Sequence, residues 1–121
     1  MSLPERKTIL VDIDGTICEQ RKGDYENAKP YEEAIRTINR LYEEDYRIVV
    51  YTSRFMGRHN GDVEAAYREG YDFTLRQLKG WGLKFHELKM GKPSADIIID
   101  DKAVFFKRNW EKIYEECKKN F

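Results

Sequence analysis

Cysteine and proline are scarce in this chain, and neither sign of charge is in excess. Cys18 and Cys117 are too few and too far apart for a disulfide framework or a zinc site, so two reduced thiols are expected. Equal numbers of basic and acidic residues, 22 each, give no net charge and remove the usual footprint of a nucleic-acid or anionic-membrane partner. No apolar run approaches the roughly 18 residues of a membrane span, and Met1 to Lys7 has no apolar signal region. A cytoplasmic protein with neither nucleic acid nor membrane as partner is therefore expected. Repeats, linkers and low-complexity tracts are also lacking. Residues 1–121 read as a single domain, large enough to bury roughly two thirds of its unfolded surface without staples.

Short β-rich runs alternate with helical periods. Lys7 to Asp12, Arg47 to Thr52 and Ala95 to Ile99 predict strands, with Phe85 to Lys89 a weaker fourth. After Pro30, a residue suited to a first helical turn, Ile35, Ile38, Leu41 and Tyr42 form one apolar stripe. Val63, Tyr67, Tyr71, Leu75 and Leu78 form a second, with Gly70 as a break within it, and Phe106, Trp110, Ile113, Tyr114 and Cys117 form a third. Near-continuous apolar strands such as Ile48-Val49-Val50-Tyr51 and Ile97-Ile98-Ile99 predict burial on both faces. The expected fold class is α/β, a three-layer α/β/α Rossmann-like arrangement around a central, mainly parallel sheet.

The run Ile9-Leu10-Val11-Asp12-Ile13-Asp14-Gly15-Thr16 ends an apolar strand in two carboxylates. Alternation puts Asp12 and Asp14 on one side, about 6 to 7 Å apart, and Gly15 lets the chain turn away. As ordinary turn residues they would mean little. However, the second strand ends in Thr52-Ser53-Arg54 and the predicted last strand in Asp100-Asp101, while Gly91-Lys92-Pro93 brings a cation to the same rim. Ligands of open parallel sheets bind outside the carboxyl ends of the strands. Carboxylates crowded there need a divalent cation or raised pKa values, and oxygen ligands with retained water favour magnesium. Arg58, His59 and Asn60 read as a polar loop beside this crevice, and His86, with no second ligand at metal spacing, as a structural residue.

These motifs, in this order, resemble those of the haloacid dehalogenase-like superfamily of phosphohydrolases. Asp12-Ile13-Asp14-Gly15-Thr16 matches the first, Thr52 the second, Lys92 the third, and Asp100-Asp101 the fourth. The resemblance implies that Asp12 attacks phosphorus to give an aspartyl phosphate, and that Asp14 protonates the leaving alcohol and then accepts a proton from water. It also implies Mg2+ held by Asp12, the backbone carbonyl of Asp14 and Asp100, with Asp101 a water-mediated partner. Thr52, Ser53, Arg54, Lys92 and the backbone N–H groups of Ile13 to Gly15 would bind the phosphoryl group.

An aspartate at position 14 favours prompt hydrolysis of a phosphate ester over dehalogenation or a persistent phosphoenzyme. Only about fifteen residues separate the first motif from Pro30, enough for a flap but not a cap domain. The chain thus looks like a capless member, similar to small bacterial phosphatases of capsule and surface-polysaccharide synthesis. A small sugar or polyol phosphate is the expected substrate, with a homo-oligomer covering the open site. Two other substrate classes, phosphoproteins and nucleic-acid ends, remain alternatives, as does a phosphate-binding domain without turnover. A signalling receiver domain fits less well, because its phosphoacceptor aspartate should precede the threonine on a middle strand.

Overall fold

The computed structural model describes residues 6–120. Three parallel strands, β1 (Thr8–Val11), β2 (Arg47–Tyr51) and β3 (Glu87–Lys89), lie side by side in that order. Ile9 and Val11 pair with Ile48 and Val50, and Val50 pairs with Leu88. Since side chains alternate along a strand, these five share one face. That face is the centre of the main core.

Helix α1 (Glu32–Glu43) contributes Ala34, Ile35, Ile38 and Leu41 to this core, and α2 (Val63–Gly80) contributes Leu78. Trp110 and Cys117 of α3 (Trp110–Asn120) join the same cluster. The first apolar stripe of the sequence is thus the packed face of α1, whereas in the second Leu78 is buried, Tyr71 and Leu75 pack in part, and Val63 and Tyr67 stay exposed; Phe106 of the third precedes α3 and packs against the same core. Pro30 lies just outside α1, where it bridges to Cys18, and Tyr31 is the N-cap. Asp62 caps α2 by accepting a hydrogen bond from the Ala65 N–H at 3.2 Å.

Two expectations need correction. Gly70 does not break the second helix; α2 runs through it, and the missing side chain makes room for the Phe55 ring. Ala95 to Ile99 does not form a strand: the segment is irregular, with Ile97, Ile98 and Ile99 exposed to 79, 62 and 97%. Among the described residues the outer edge of β1 pairs with nothing, and Leu10 beside it is 63% exposed. The Lys92 N–H donates to the Thr52 carbonyl at 3.1 Å, so the chain leaves β3 past the end of β2. Three consecutive isoleucines signal burial but do not specify a pairing partner.

The segment from Gly15 to Lys29 is a tied flap. The Gly15 N–H donates to Cys18 O at 2.8 Å with Gly15 at φ +81°, a conformation that favours glycine. Further along, the Glu19 N–H donates to Lys29 O at 3.0 Å and the Tyr31 N–H to Ile17 O at 2.8 Å.

Candidate active site

The carboxyl ends of β1 and β2 and the loop after β3 bring three of the predicted residues together. Asp12 follows β1, Thr52 follows β2, and Lys92 stands three residues beyond β3. Lys92 Nζ lies 3.4 Å from Asp12 Oδ1, and the Asp12 side chain remains 33% exposed. Partial burial pushes the Asp12 carboxyl above its ordinary value, while the Lys92 charge and the Ile13 N–H pull it back. A nucleophilic carboxylate gains from both effects, because the lysine favours ionisation while one face stays open.

Thr52 is buried and fixes the loop geometry. Its N–H donates to Lys89 O at 3.0 Å, its carbonyl accepts from Lys92, and its Oγ1 accepts from the Arg54 N–H at 3.1 Å. The hydroxyl proton is left to point elsewhere. Thr52 thus ties the second and third motifs together through the backbone.

Asp14 is held differently from Asp12. Arg54 donates to both of its oxygens, Nε to Oδ2 at 2.8 Å and Nη2 to Oδ1 at 2.9 Å, in a fork geometry that a lysine cannot reproduce. The Arg54 side chain has no exposed surface. Its Nη1 donates to Gln77 Oε1 at 2.6 Å, and its guanidinium carbon lies 4.6 Å from the centre of the Tyr25 ring. Gln77 Nε2 in turn donates to Tyr25 O at 2.7 Å, linking α2 to the flap. Cys18 lies against the same carboxylate, with Sγ 3.6 Å from Asp14 Oδ1. Burial, reinforced by the Asp14 charge, pushes this thiol up to about 12, so it is neutral and donates its S–H.

Several expected contacts are not present. Arg54 turns inward to Asp14 and is not offered to a phosphoryl group. The Gly15 N–H is spent on Cys18 O, and Ile13 is fully buried with its N–H directed to Asp12. Ser53 is half-buried and its carbonyl accepts from Met56. Asp100 and Asp101 are exposed, and Asp100 Oδ1 accepts from the Lys102 N–H at 2.7 Å. Arg58 and His59 both pair with Glu69 of α2. Gln77 and Tyr25 carried no signal in the sequence beyond helical spacing and loop composition, because their role depends on which elements the fold brings together.

As placed, the donors do not fit a magnesium ion. The described residues contain no group of three or more potential ligands. The Asp12 oxygen faces an ammonium group, and each Asp14 oxygen already accepts from Arg54. A groove of about 580 Å³ lies beside Tyr42, Leu75, Lys84 and His86, away from this chemistry.

No family model and no curated protein sequence matches the chain. Solved structures do. A structural-genomics target from Vibrio cholerae superposes with a TM-score of 0.76 at 24% identity, covering 91% of this chain and 98% of that one. A conserved protein from Bacteroides thetaiotaomicron gives 0.61 at 26% identity, covering 97% and 93%. The D,D-heptose 1,7-bisphosphate phosphatase from B. bronchiseptica, crystallised with magnesium and phosphate, gives 0.50 at 19% identity, covering 94% of this chain and 63% of its own. With the parallel sheet and its helices, these likenesses show that the chain has a Rossmann-like α/β fold, shared with the heptose bisphosphate phosphatase.

Proposed function

We propose that this protein is a phosphomonoesterase whose nucleophile is Asp12. The observation that carries the reading is the meeting of Asp12 and Lys92, 3.4 Å apart, beside Thr52 at the carboxyl ends of parallel strands. In the proposed reaction an Asp12 oxygen forms a bond to phosphorus as the bond from phosphorus to the ester oxygen breaks. Asp14 gives a proton to that oxygen, and an alcohol leaves. Water then attacks phosphorus, Asp14 takes its proton, and phosphate departs with Asp12 restored. Lys92 offsets the negative charge brought by the phosphoryl group, and Thr52 lines it.

The heptose bisphosphate phosphatase was crystallised with magnesium, and the proposal extends that requirement to this chain. The ion would need a further carboxylate beside Asp12. Asp100, with Asp101 next to it, becomes available if residues 95–99 pair along the free edge of β1. Leu10, Ile97, Ile98 and Ile99 are the exposed apolar side chains that such pairing would cover.

For the substrate we favour a small sugar or polyol phosphate, as in surface-polysaccharide synthesis, with a second copy of the chain covering the site. A macromolecular phosphate ester is the alternative, since Asp12 remains one-third exposed. A hydrolysis panel of sugar phosphates, polyol phosphates, nucleotides and phosphopeptides tests both. Turnover of a sugar or polyol phosphate is expected; preference for phosphopeptides would move the assignment to the alternative. No turnover of any phosphate monoester, with magnesium supplied, would refute the activity.

A further inference from the structure

Arginine is an obvious phosphate ligand, but the surroundings of Arg54 argue for another use. Its side chain is fully buried, its three donor nitrogens face Asp14 and Gln77, and one face of its guanidinium is covered by the Tyr25 ring. To reach a phosphoryl oxygen it would have to abandon Asp14 or Gln77 and leave that partner unpaired in a closed site. A carboxylate has about four lone-pair positions. On Asp14 Oδ1 one faces Arg54 Nη2 and another faces the Cys18 thiol, whereas among the described residues Oδ2 accepts only from Arg54 Nε. The outer lone pair of Oδ2 is left for another partner.

We propose that Arg54, itself fixed by Gln77 of α2, is the positioning residue for Asp14. It aims Oδ2 at the ester oxygen and takes no part in binding phosphate. This rests on the phosphomonoesterase reading above and adds to it a division of labour. Lys92 and Thr52 meet the phosphoryl group, while the Gln77-Arg54 pair sets the angle of the group that exchanges a proton with the leaving alcohol. Gln77 also donates to Tyr25 O, so the flap and the proton-transfer group are fixed by one side chain. A small misplacement of a catalytic group costs on the order of 100-fold in rate, and selectively in the step that uses it.

The leaving group supplies the discriminating readout. An alkoxide needs a proton as it departs, whereas 4-nitrophenolate leaves without one. Gln77→Leu keeps the volume and removes both hydrogen bonds. It should lower kcat for the best alkyl phosphate by about 10- to 100-fold, while 4-nitrophenyl phosphate loses less than about threefold and KM is unchanged for both. Arg54→Lys, which keeps the charge but not the fork, should show the same selectivity. In Arg54→Ala, added guanidinium should restore alkyl phosphate turnover more than aryl. Circular dichroism checks that each variant is folded, and Gln77→Leu keeps the test open if the arginine variants do not fold.

Equal losses on both substrates would overturn the proposal. A parallel rise in KM with weaker inhibition by inorganic phosphate would also overturn it and return Arg54 to phosphate binding. If the wild-type protein hydrolyses neither substrate, the phosphomonoesterase reading fails and this proposal with it. If the wild type hydrolyses both and Gln77→Leu affects them alike, only the positioning role fails.

Discussion

Two glycines of the same helix should respond to the same substitution with opposite signs. A Cβ at Gly70 would stand 2.1 Å from two ring carbons of Phe55 and 2.9 Å from a third, where carbon atoms prefer about 3.5 to 4.0 Å. The ring cannot swing away freely. Phe55 is 8% exposed with its backbone at φ 68°, and the ring is held by Tyr25 at 4.9 Å and by Arg58 at 4.7 Å. At Gly80, in the last turn, a Cβ would meet nothing within 4 Å. Alanine gains about 1 kcal/mol over glycine inside a helix, but overpacking costs about 1 to 3 kcal/mol, so Gly70→Ala should destabilise by about 1 kcal/mol net. Gly80→Ala should stabilise by about 0.4 to 1 kcal/mol.

Urea unfolding with a shared slope reads both changes as shifts of the midpoint. The double variant Phe55→Ala/Gly70→Ala supplies the control, since without the ring the Gly70→Ala step should turn stabilising. The reasoning is refuted if Gly70→Ala stabilises the wild-type protein as much as Gly80→Ala does.

Four further outcomes are expected. Lys92→Met removes the charge that opposes the upward push of burial on Asp12, so the acid limb of kcat/KM should move to higher pH; an unmoved limb would mean the pair does not matter in solution. His86 lies below its ordinary value, first through burial and then through Arg6 and Arg47, and the unfolded state therefore binds its proton more readily. Its contribution to stability should be full above the unfolded pKa of about 6.5 and be lost as pH falls below that, so the urea midpoint of His86→Asn should depend less on pH over that window than that of the wild type. Asp14→Asn should lower kcat strongly with little change in KM, and unchanged turnover would reduce Asp14 to a turn residue. Turnover should vanish in excess chelator and return with magnesium, and full activity without a divalent ion would remove the metal from the proposal.

Local pattern carried much of this structure. Ile9 and Val11, and Ile48 and Val50, are apolar because each pair faces the core, and Ile35, Ile38 and Leu41 recur at the period of a helix face. Even the weak expectation at Phe85 to Lys89 yielded β3 over Glu87–Lys89. Three motif positions, Asp12, Thr52 and Lys92, converge because strand ends in a parallel sheet share a rim. The Asp14–Arg54 fork, with Gln77 and Tyr25 behind it, was not legible, because its members are far apart in sequence and meet only through tertiary packing. Ile97 to Ile99 misled for a related reason: apolar composition signals a demand for burial, while the partner that satisfies it is set by the rest of the chain. Gly70 resembled a helix breaker, yet it occupies α2 as the seat for a ring from another loop.

The central claim is that a phosphoryl group passes through Asp12. Wild-type protein mixed with its best phosphate ester, quenched in acid within the first turnover, digested and mapped by mass spectrometry tests it most directly. A phosphoryl adduct on the peptide containing Asp12, removed by hydroxylamine and absent from an equally folded Asp12→Asn variant that has lost turnover, is the predicted result. Turnover by Asp12→Asn at more than a few per cent of the wild-type rate, or an adduct on a different residue, would contradict it.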